Sequence, residues 1–166
     1  MGKPGFQRIE GRPGTYALIL RNPGSHLIEV GRLGKLSLTT GTYIYIGSAF
    51  GPGGVAARCQ HHARLSTNPH WHIDYLRSAM ELGEIWFSHD PQRREHEWAN
   101  LMVKARGAQQ PFPGFGSSDC SCHSHLFFFP SPPSFDSFRR RAYRTLTNQG
   151  PILREILAIN HGQTIE

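Results

Sequence analysis

Two hydrophobic periods alternate along this chain. Residues 15–21, Thr-Tyr-Ala-Leu-Ile-Leu-Arg, read as a buried strand. Asn22-Pro23-Gly24-Ser25 has the composition of a turn. Residues 27–30 and 35–39 read as strands joined at Gly31-Arg32-Leu33-Gly34, a hairpin. Residues 43–47 form a further strand, rich in aromatic and β-branched side chains. Gly51-Pro52-Gly53-Gly54 then breaks the chain before a helix over 55–65, with Val55, Ala56, Cys59 and Ala63 as its apolar stripe. Asn68-Pro69 pairs an N-cap with proline at the first helical position and opens a second helix carrying Trp71, Tyr75 and Ala79. Residues 85–87 make a short strand, and 92–106 a third helix with Trp98, Leu101, Met102 and Ala105 on one side. Residues 107–124 are rich in Gly, Pro and Ser and predict a loop, and 125–129 a last strand.

This order predicts an α+β fold: a small antiparallel sheet flanked by helices, with an extra hairpin between the first strand and the fourth. Residues 1–13, with two Pro and three Gly, predict a mobile lead-in. Ser131-Pro132-Pro133-Ser134 predicts a linker, which leaves 14–130 as the domain and 131–166 as linker and basic tail with one or two short helices.

Charge adds a partner class. The chain has 166 residues and a formal net charge of +6, with a pI near 9.7. Such a surface favours polyanions, nucleic acid first among them. The cysteines are Cys59, Cys120 and Cys122, an odd set without the spacing of a secreted disulfide scaffold. The N-terminal residues lack an apolar signal core, and no apolar run is long enough to span a bilayer. A cytoplasmic protein is expected.

Chemistry enters with a set of short motifs. Gly14-Thr15-Tyr16 opens the first strand and Tyr45-Ile46-Gly47 closes the fourth, with Arg58 in the first helix and Glu95 in the third. The segments 30–34 (Val-Gly-Arg-Leu-Gly), 43–49 (Tyr-Ile-Tyr-Ile-Gly-Ser-Ala), 70–76 (His-Trp-His-Ile-Asp-Tyr-Leu) and 115–126 (Phe-Gly-Ser-Ser-Asp-Cys-Ser-Cys-His-Ser-His-Leu) accompany them in order. Over residues 12 to 130 the chain resembles the GIY-YIG nuclease superfamily, in a compact branch related to the Uri-type endonucleases. The resemblance implies a metal-dependent endonuclease that leaves a 5′-phosphate and a 3′-hydroxyl. It implies one Mg²⁺ or Mn²⁺ ion. Nucleic acid is the expected partner, DNA before RNA, a choice the sequence itself leaves open. The resemblance also implies roles: Tyr16 relays a proton from the attacking water, Tyr45 positions water or phosphate, Arg58 forks onto phosphate oxygens, and Glu95 holds the metal, with Glu97 as the alternative one register step away. Glu95, followed by Trp98 and Ala99 at +3 and +4, fits the superfamily's register better than Glu97 does.

Those residue types suit the reaction. Attack on an anionic diester needs the developing charge offset and the water deprotonated. A hard cation on one carboxylate keeps several waters, and an arginine matches phosphate geometry. His62 follows Arg58 by four positions beside the same stripe, as a phosphate donor or part of the helix surface. Without the resemblance, Tyr16 and Tyr45 would read as core tyrosines, and either glutamate as a solvated helix carboxylate. Further substrate contacts are assigned to Ser48, His72, Asp119, His125, Arg139 and Arg140, the last two in a tail that interleaves aromatic rings with arginines. The chain departs from the superfamily in three respects: Thr15 stands where Ile is usual, the segment between the motifs is long, and no asparagine equivalent follows the glutamate helix.

Cys120, Cys122 and His125 suggest a zinc site, with His70 or His72 as a fourth ligand. The usual two-residue gap between cysteines is missing, so structural zinc is not expected, and a hydrogen-bonded loop walling the active site is. His70 and Asp74, four apart, are expected to pair. Three other readings compete with the nuclease: a non-catalytic nucleic-acid-binding module that shares its fold, a thiol or zinc hydrolase on Cys120, Cys122 and His125, and a purely structural partner protein, which would leave the four-part constellation unexplained.

Overall fold

The computed structural model describes residues 5–65, 68–117 and 122–157. Its centre is a five-stranded antiparallel sheet in the order β6-β4-β1-β5-β7. The strands are β1 (Gly14–Asn22), β4 (Gly41–Ala49), β5 (Glu81–Ser88), β6 (Leu126–Phe129) and β7 (Leu153–Ile156). Strands β2 (His26–Val30) and β3 (Gly34–Leu38) form the separate hairpin inserted between β1 and β4. Four helices complete the α+β architecture: α1 (Gly54–Ala63), α2 (His72–Arg77), α3 (Glu95–Val103) and α4 (Phe135–Thr145).

Because side chains alternate along a strand, the sheet builds two cores. Tyr16, Leu18 and Leu20 of β1 join Tyr43 and Tyr45 of β4 on one side, where Val55 and Cys59 of α1 and Ile73 and Leu76 of α2 cover them. Ala17, Ile19, Ile44, Ile46 and Trp86 face the other side, under Trp98 and Met102 of α3 and Phe138 and Ala142 of α4.

The segments expected at the two ends as lead-in and tail are built into this sandwich. In α4, Phe135, Phe138 and Ala142 are buried. Phe135 and Phe138 lie 5.4 and 5.5 Å from Trp86, ring centre to ring centre. Strand β7 pairs with β5 from Glu84 to Phe87 and closes that sheet edge. At the other end Ile9 is buried, and the Arg8 N–H donates to Glu155 at 2.9 Å. The carbonyls of Arg12 and Glu10 accept the N–H groups of Val55 and Ala56, so the lead-in satisfies donors of the first turn of α1. Composition misled here. Proline and serine mark 131–134 as a break, but the aromatic stripe behind them has two tryptophans to cover.

Helix bounds also moved. Helix α2 begins at His72 rather than at Pro69, because the Asp74 carboxylate accepts the backbone N–H groups of His70 and Trp71, at 2.9 and 3.0 Å, and caps the helix there. The side-chain partner of Asp74 is His61 of α1, at 2.9 Å, not the expected His70.

Deleting residues 135–166 should abolish cooperative unfolding. It uncovers Trp86 and Trp98 and strips the β5 edge, and a single large-to-small change at an aromatic core site already costs about 3–5 kcal/mol. A shortened chain with an intact thermal transition by circular dichroism would show the end segment to be dispensable.

Candidate active site

Tyr16 and Tyr45 meet because their strands are paired in one register. Tyr16 stands opposite Gly47, and Leu18 opposite Tyr45. The Tyr16 ring folds across Gly47 so closely that a Cβ there would lie 2.5 Å from the phenol oxygen. The glycine of Tyr45-Ile46-Gly47 is therefore the floor under Tyr16. Gly116 does the same for Tyr45: its φ is +69°, and a Cβ there would lie 2.9 Å from the Tyr45 ring.

The Tyr16 hydroxyl is 2.7 Å from His62 Nε2 of α1. Both side chains are about 1% exposed. His62 Nδ1 has no hydrogen-bond partner. Burial raises the Tyr16 phenol well above its ordinary value, the neighbouring Tyr45 and Cys59 add to the rise, and Arg58 opposes it. Burial likewise raises Tyr45, again with Glu95 adding to the shift and Arg58 opposing it. Burial lowers His62 to about 3, with His61 adding to the effect, so its imidazole is neutral. Tyr43 is occupied elsewhere, its hydroxyl accepting the Thr39 N–H at 2.9 Å.

Arg58, one turn before His62, lies over Trp71, its Cζ 4.4 Å from the ring centre. Among the described residues no carboxylate is within ion-pair distance of it. It borders a groove of about 210 Å³ with Ala49, Gly54, His61 and Trp71. The N–H groups of Gly54, Val55 and Ala56 beside this groove already donate to Gly51, Arg12 and Glu10. Arg58 is therefore the donor left for an anion there.

Glu95 approaches from α3, which packs on the opposite side of the sheet. Strand β6 ends its pairing with β4 at Tyr45, so Gly47 to Ala49 run on without a strand neighbour on that side. Glu95 enters at this notch. Its Oε1 is 2.8 Å from His125 Nδ1. Burial works to raise the Glu95 carboxyl, but His125 and a hydrogen bond with Ser48 outweigh it and hold the group below its usual value. The carboxylate is ionised at neutral pH, near enough to influence both tyrosines. Glu97 is elsewhere: it pairs with Arg94 at 2.9 Å and is 43% exposed.

The register of α3 is set by Thr15, the residue that stands where Ile is usual. Its Oγ1 accepts the backbone N–H of Arg94 at 3.2 Å. The hydroxyl thus ties the start of β1 to the residue immediately before Glu95.

The remaining predicted contacts divide. Ser48 and His125 flank Glu95. His72 accepts the Gly116 N–H at 2.8 Å through Nδ1 and anchors the loop that packs on Tyr45. Arg139 and Arg140 lie on α4, where Arg139 pairs with Asp136 at 3.1 Å and Arg140 donates to the Asp136 carbonyl. The groove beside Arg139 is formed with Phe135, Arg154 and Ile156, and the structure does not bring these arginines to the tyrosines. Asp119 and Cys120 lie outside the described residues.

The family described as "Domain of unknown function DUF123" matches residues 15–148. The chain belongs to the DUF123 family. No curated protein and no solved structure matches it. The DUF123 match runs through α4, in keeping with the packing of that helix on Trp86 and Trp98. No described helix of this DUF123 chain is long and apolar enough to cross a membrane.

Sequence reasoning missed three participants in this DUF123 site. Asp74 and His61 brace the His62 turn, where sequence spacing had paired Asp74 with His70. His96, beside Glu95, stands 5.8 Å from the His125 ring, and nothing in its sequence spacing links it to residue 125.

Two predictions follow from this geometry. Thr15→Val keeps the shape but strands a buried N–H, and should cost about 1–3 kcal/mol in urea unfolding. An unchanged midpoint would show that Thr15 does not hold α3. The second concerns pH. His62 titrates near 3 when folded but about 6.5 when unfolded. The unfolded chain therefore binds more protons between these values, and stability present above about 6.5 is lost as pH falls toward 3. Asp74, Asp90 and Glu95, all lowered, add their own losses only in the acid part of that range. His62→Gln, which can still bond Tyr16, should flatten the decline in unfolding midpoint between pH 7 and 5. An identical decline in the variant would assign the effect elsewhere.

Proposed function

We propose that this DUF123 chain is a metal-dependent endonuclease of the GIY-YIG type, hydrolysing phosphodiester bonds in nucleic acid, DNA before RNA. The observation that supports this most is the convergence of Tyr16, Tyr45, Arg58, His62 and Glu95 from β1, β4, α1 and α3 on one notch of the sheet. A purely structural protein has no need to collect an arginine with no carboxylate partner among the described residues, an ionised half-buried glutamate and two buried phenols there.

The roles follow from the environment of each group. Arg58, held over Trp71 with no carboxylate partner among the described residues, grips a phosphate oxygen pair. Glu95 offers hard carboxylate oxygens, ionised in place, and these donors fit Mg²⁺ or Mn²⁺. Such an ion, when bound, offsets charge on the phosphate and acidifies water. Tyr16 lies on a path for the proton: water to Tyr16 oxygen, and the Tyr16 hydroxyl proton to His62 Nε2 at 2.7 Å. Burial opposes charge at both ends of that path. Arg58 favours the phenolate and opposes the imidazolium; the arriving diester anion offsets Arg58 and favours the imidazolium, so the relay operates with substrate in place. Tyr45, on the same side of the sheet, orients the water or the phosphate.

Single-turnover cleavage of labelled single- and double-stranded DNA and RNA, with Mg²⁺, Mn²⁺ or chelator, tests this reading. Tyr16→Phe should fold normally and cleave about a hundredfold more slowly, as for a lost general base. Glu95→Gln should lose activity at least as severely while still binding substrate, and Glu97→Gln should remain within a few fold of the parent. Cleavage that survives chelation, or Glu95→Gln at the parent's rate, would refute it.

A further inference from the structure

We propose a second metal site, for zinc, formed by His96 of α3 with Cys122 and His125 of the segment leading into β6. One ligand atom from each of these residues lies within 4.8 Å of the other two. They come from elements far apart in sequence, so only the fold brings them together. An imidazole–thiolate–imidazole set suits zinc and disfavours Mg²⁺, which takes oxygen ligands. In a tetrahedral zinc site, Zn–N near 2.0–2.1 Å and Zn–S near 2.3 Å place the donors about 3.4–3.6 Å apart. Rotation of the exposed His96 side chain closes the difference.

Two further observations point to a ligand. First, His125 Nδ1 faces Glu95 Oε1 at 2.8 Å. A carboxylate on one imidazole nitrogen is the usual companion of a histidine that binds metal through the other, here Nε2. Second, the backbone from His123 to Leu126, which follows Cys122 and carries His125, is hydrogen-bonded to the segments beside it. Gly114 N–H donates to the His123 carbonyl at 2.8 Å, His125 N–H to that of Phe115 at 2.8 Å, and Ile46 N–H to that of His125 at 3.0 Å. Ser124 Oγ accepts the Leu126 N–H at 3.0 Å. The expectation against zinc rested on the spacing of Cys120 and Cys122, and it could not include a ligand from α3.

The proposal stands on these residues alone and is independent of cleavage activity. Elemental analysis of the full chain, purified after growth with added zinc, should give about one zinc per chain. His96→Ala, at an exposed position where folding is safe, should drop this below about a tenth, as should Cys122→Ser. Cobalt-loaded protein should show a thiolate-to-cobalt charge-transfer band that disappears in Cys122→Ser and persists in Cys59→Ser. Glu95→Gln should retain zinc with about 10–100-fold weaker affinity, the usual effect of losing the group that orients a ligating histidine. Metal-free chain that fails to take up zinc in competition with a micromolar chelator would overturn the site, as would stoichiometric zinc in both His96→Ala and Cys122→Ser. Loss of cleavage with zinc intact would count against the nuclease reading and leave this one standing.

Discussion

The buried ion pair between Asp90 and Arg94 holds the two halves of this protein in one geometry. Both side chains are under 5% exposed, and burying two charges is expensive unless every donor and acceptor is satisfied. Here they are satisfied almost in full. Arg94 reaches Asp90 at 3.0 Å, Glu97 at 2.9 Å and the Thr147 carbonyl at 2.8 Å. Asp90 also accepts the N–H groups of Gln92 and Gly150, each at 2.9 Å. Burial works against the Asp90 charge, yet those N–H groups and Arg94 hold its carboxyl below the usual range. Gln149 extends the network to the Trp98 indole at 3.0 Å and to Ser88. The pair thus joins the end of β5, the start of α3 and the turn after α4. Removing one partner of such a pair leaves an uncompensated charge, at about 3–5 kcal/mol. The geometric consequence reaches the notch, because Glu95 is the next residue.

That adjacency explains how one carboxylate can serve a site assembled mostly on the other side of the sheet. Thr15 grips the Arg94 N–H, Arg94 grips Asp90, and the first turn of α3 has no freedom to rotate. Glu97 is drawn into the structural network by its bond to Arg94, while Glu95 faces the notch. Two carboxylates two positions apart on a helix point in different directions, since successive residues turn by about 100°. The fold uses one for architecture and one for the site.

Strand periodicity made the sheet legible before the structure, because alternation on a two-sided buried sheet leaves few other readings of residues 15–21 or 43–47. The tyrosines, Arg58 and Glu95 were legible only through the motifs, since a buried tyrosine looks the same in a sequence whether it packs or reacts. What escaped was whatever depends on contacts between distant elements. The final segment looked like a tail because β7 is four residues long and α4 carries four arginines. Its three buried residues, Phe135, Phe138 and Ala142, acquire meaning only when Trp86 and Trp98 are known to lie uncovered beneath them. Asp74 caps its own helix while bracing His61, and only the first of those roles is local.

The net charge of +6 also means something different once the contacts are known. Arg94 is committed to the buried network, Arg77 to the carbonyls of His62 and Met80, Arg141 to that of Leu101, and Arg154 to Glu84. These arginines build the fold, and what they offer an anion is a long-range field that salt screens. Arg58 and Arg93 differ. Arg58 lies over Trp71 at 4.4 Å and Arg93 over Phe50 at 4.5 Å, each without a carboxylate within ion-pair distance among the described residues. An aromatic face orients a guanidinium without neutralising it, so its N–H edge stays available to phosphate. Phe50 directly follows β4, and Trp71 lines the groove beside Ala49. Both of these ring-held guanidinium groups therefore attach where β4 runs out past β6, beside the notch that Glu95 enters.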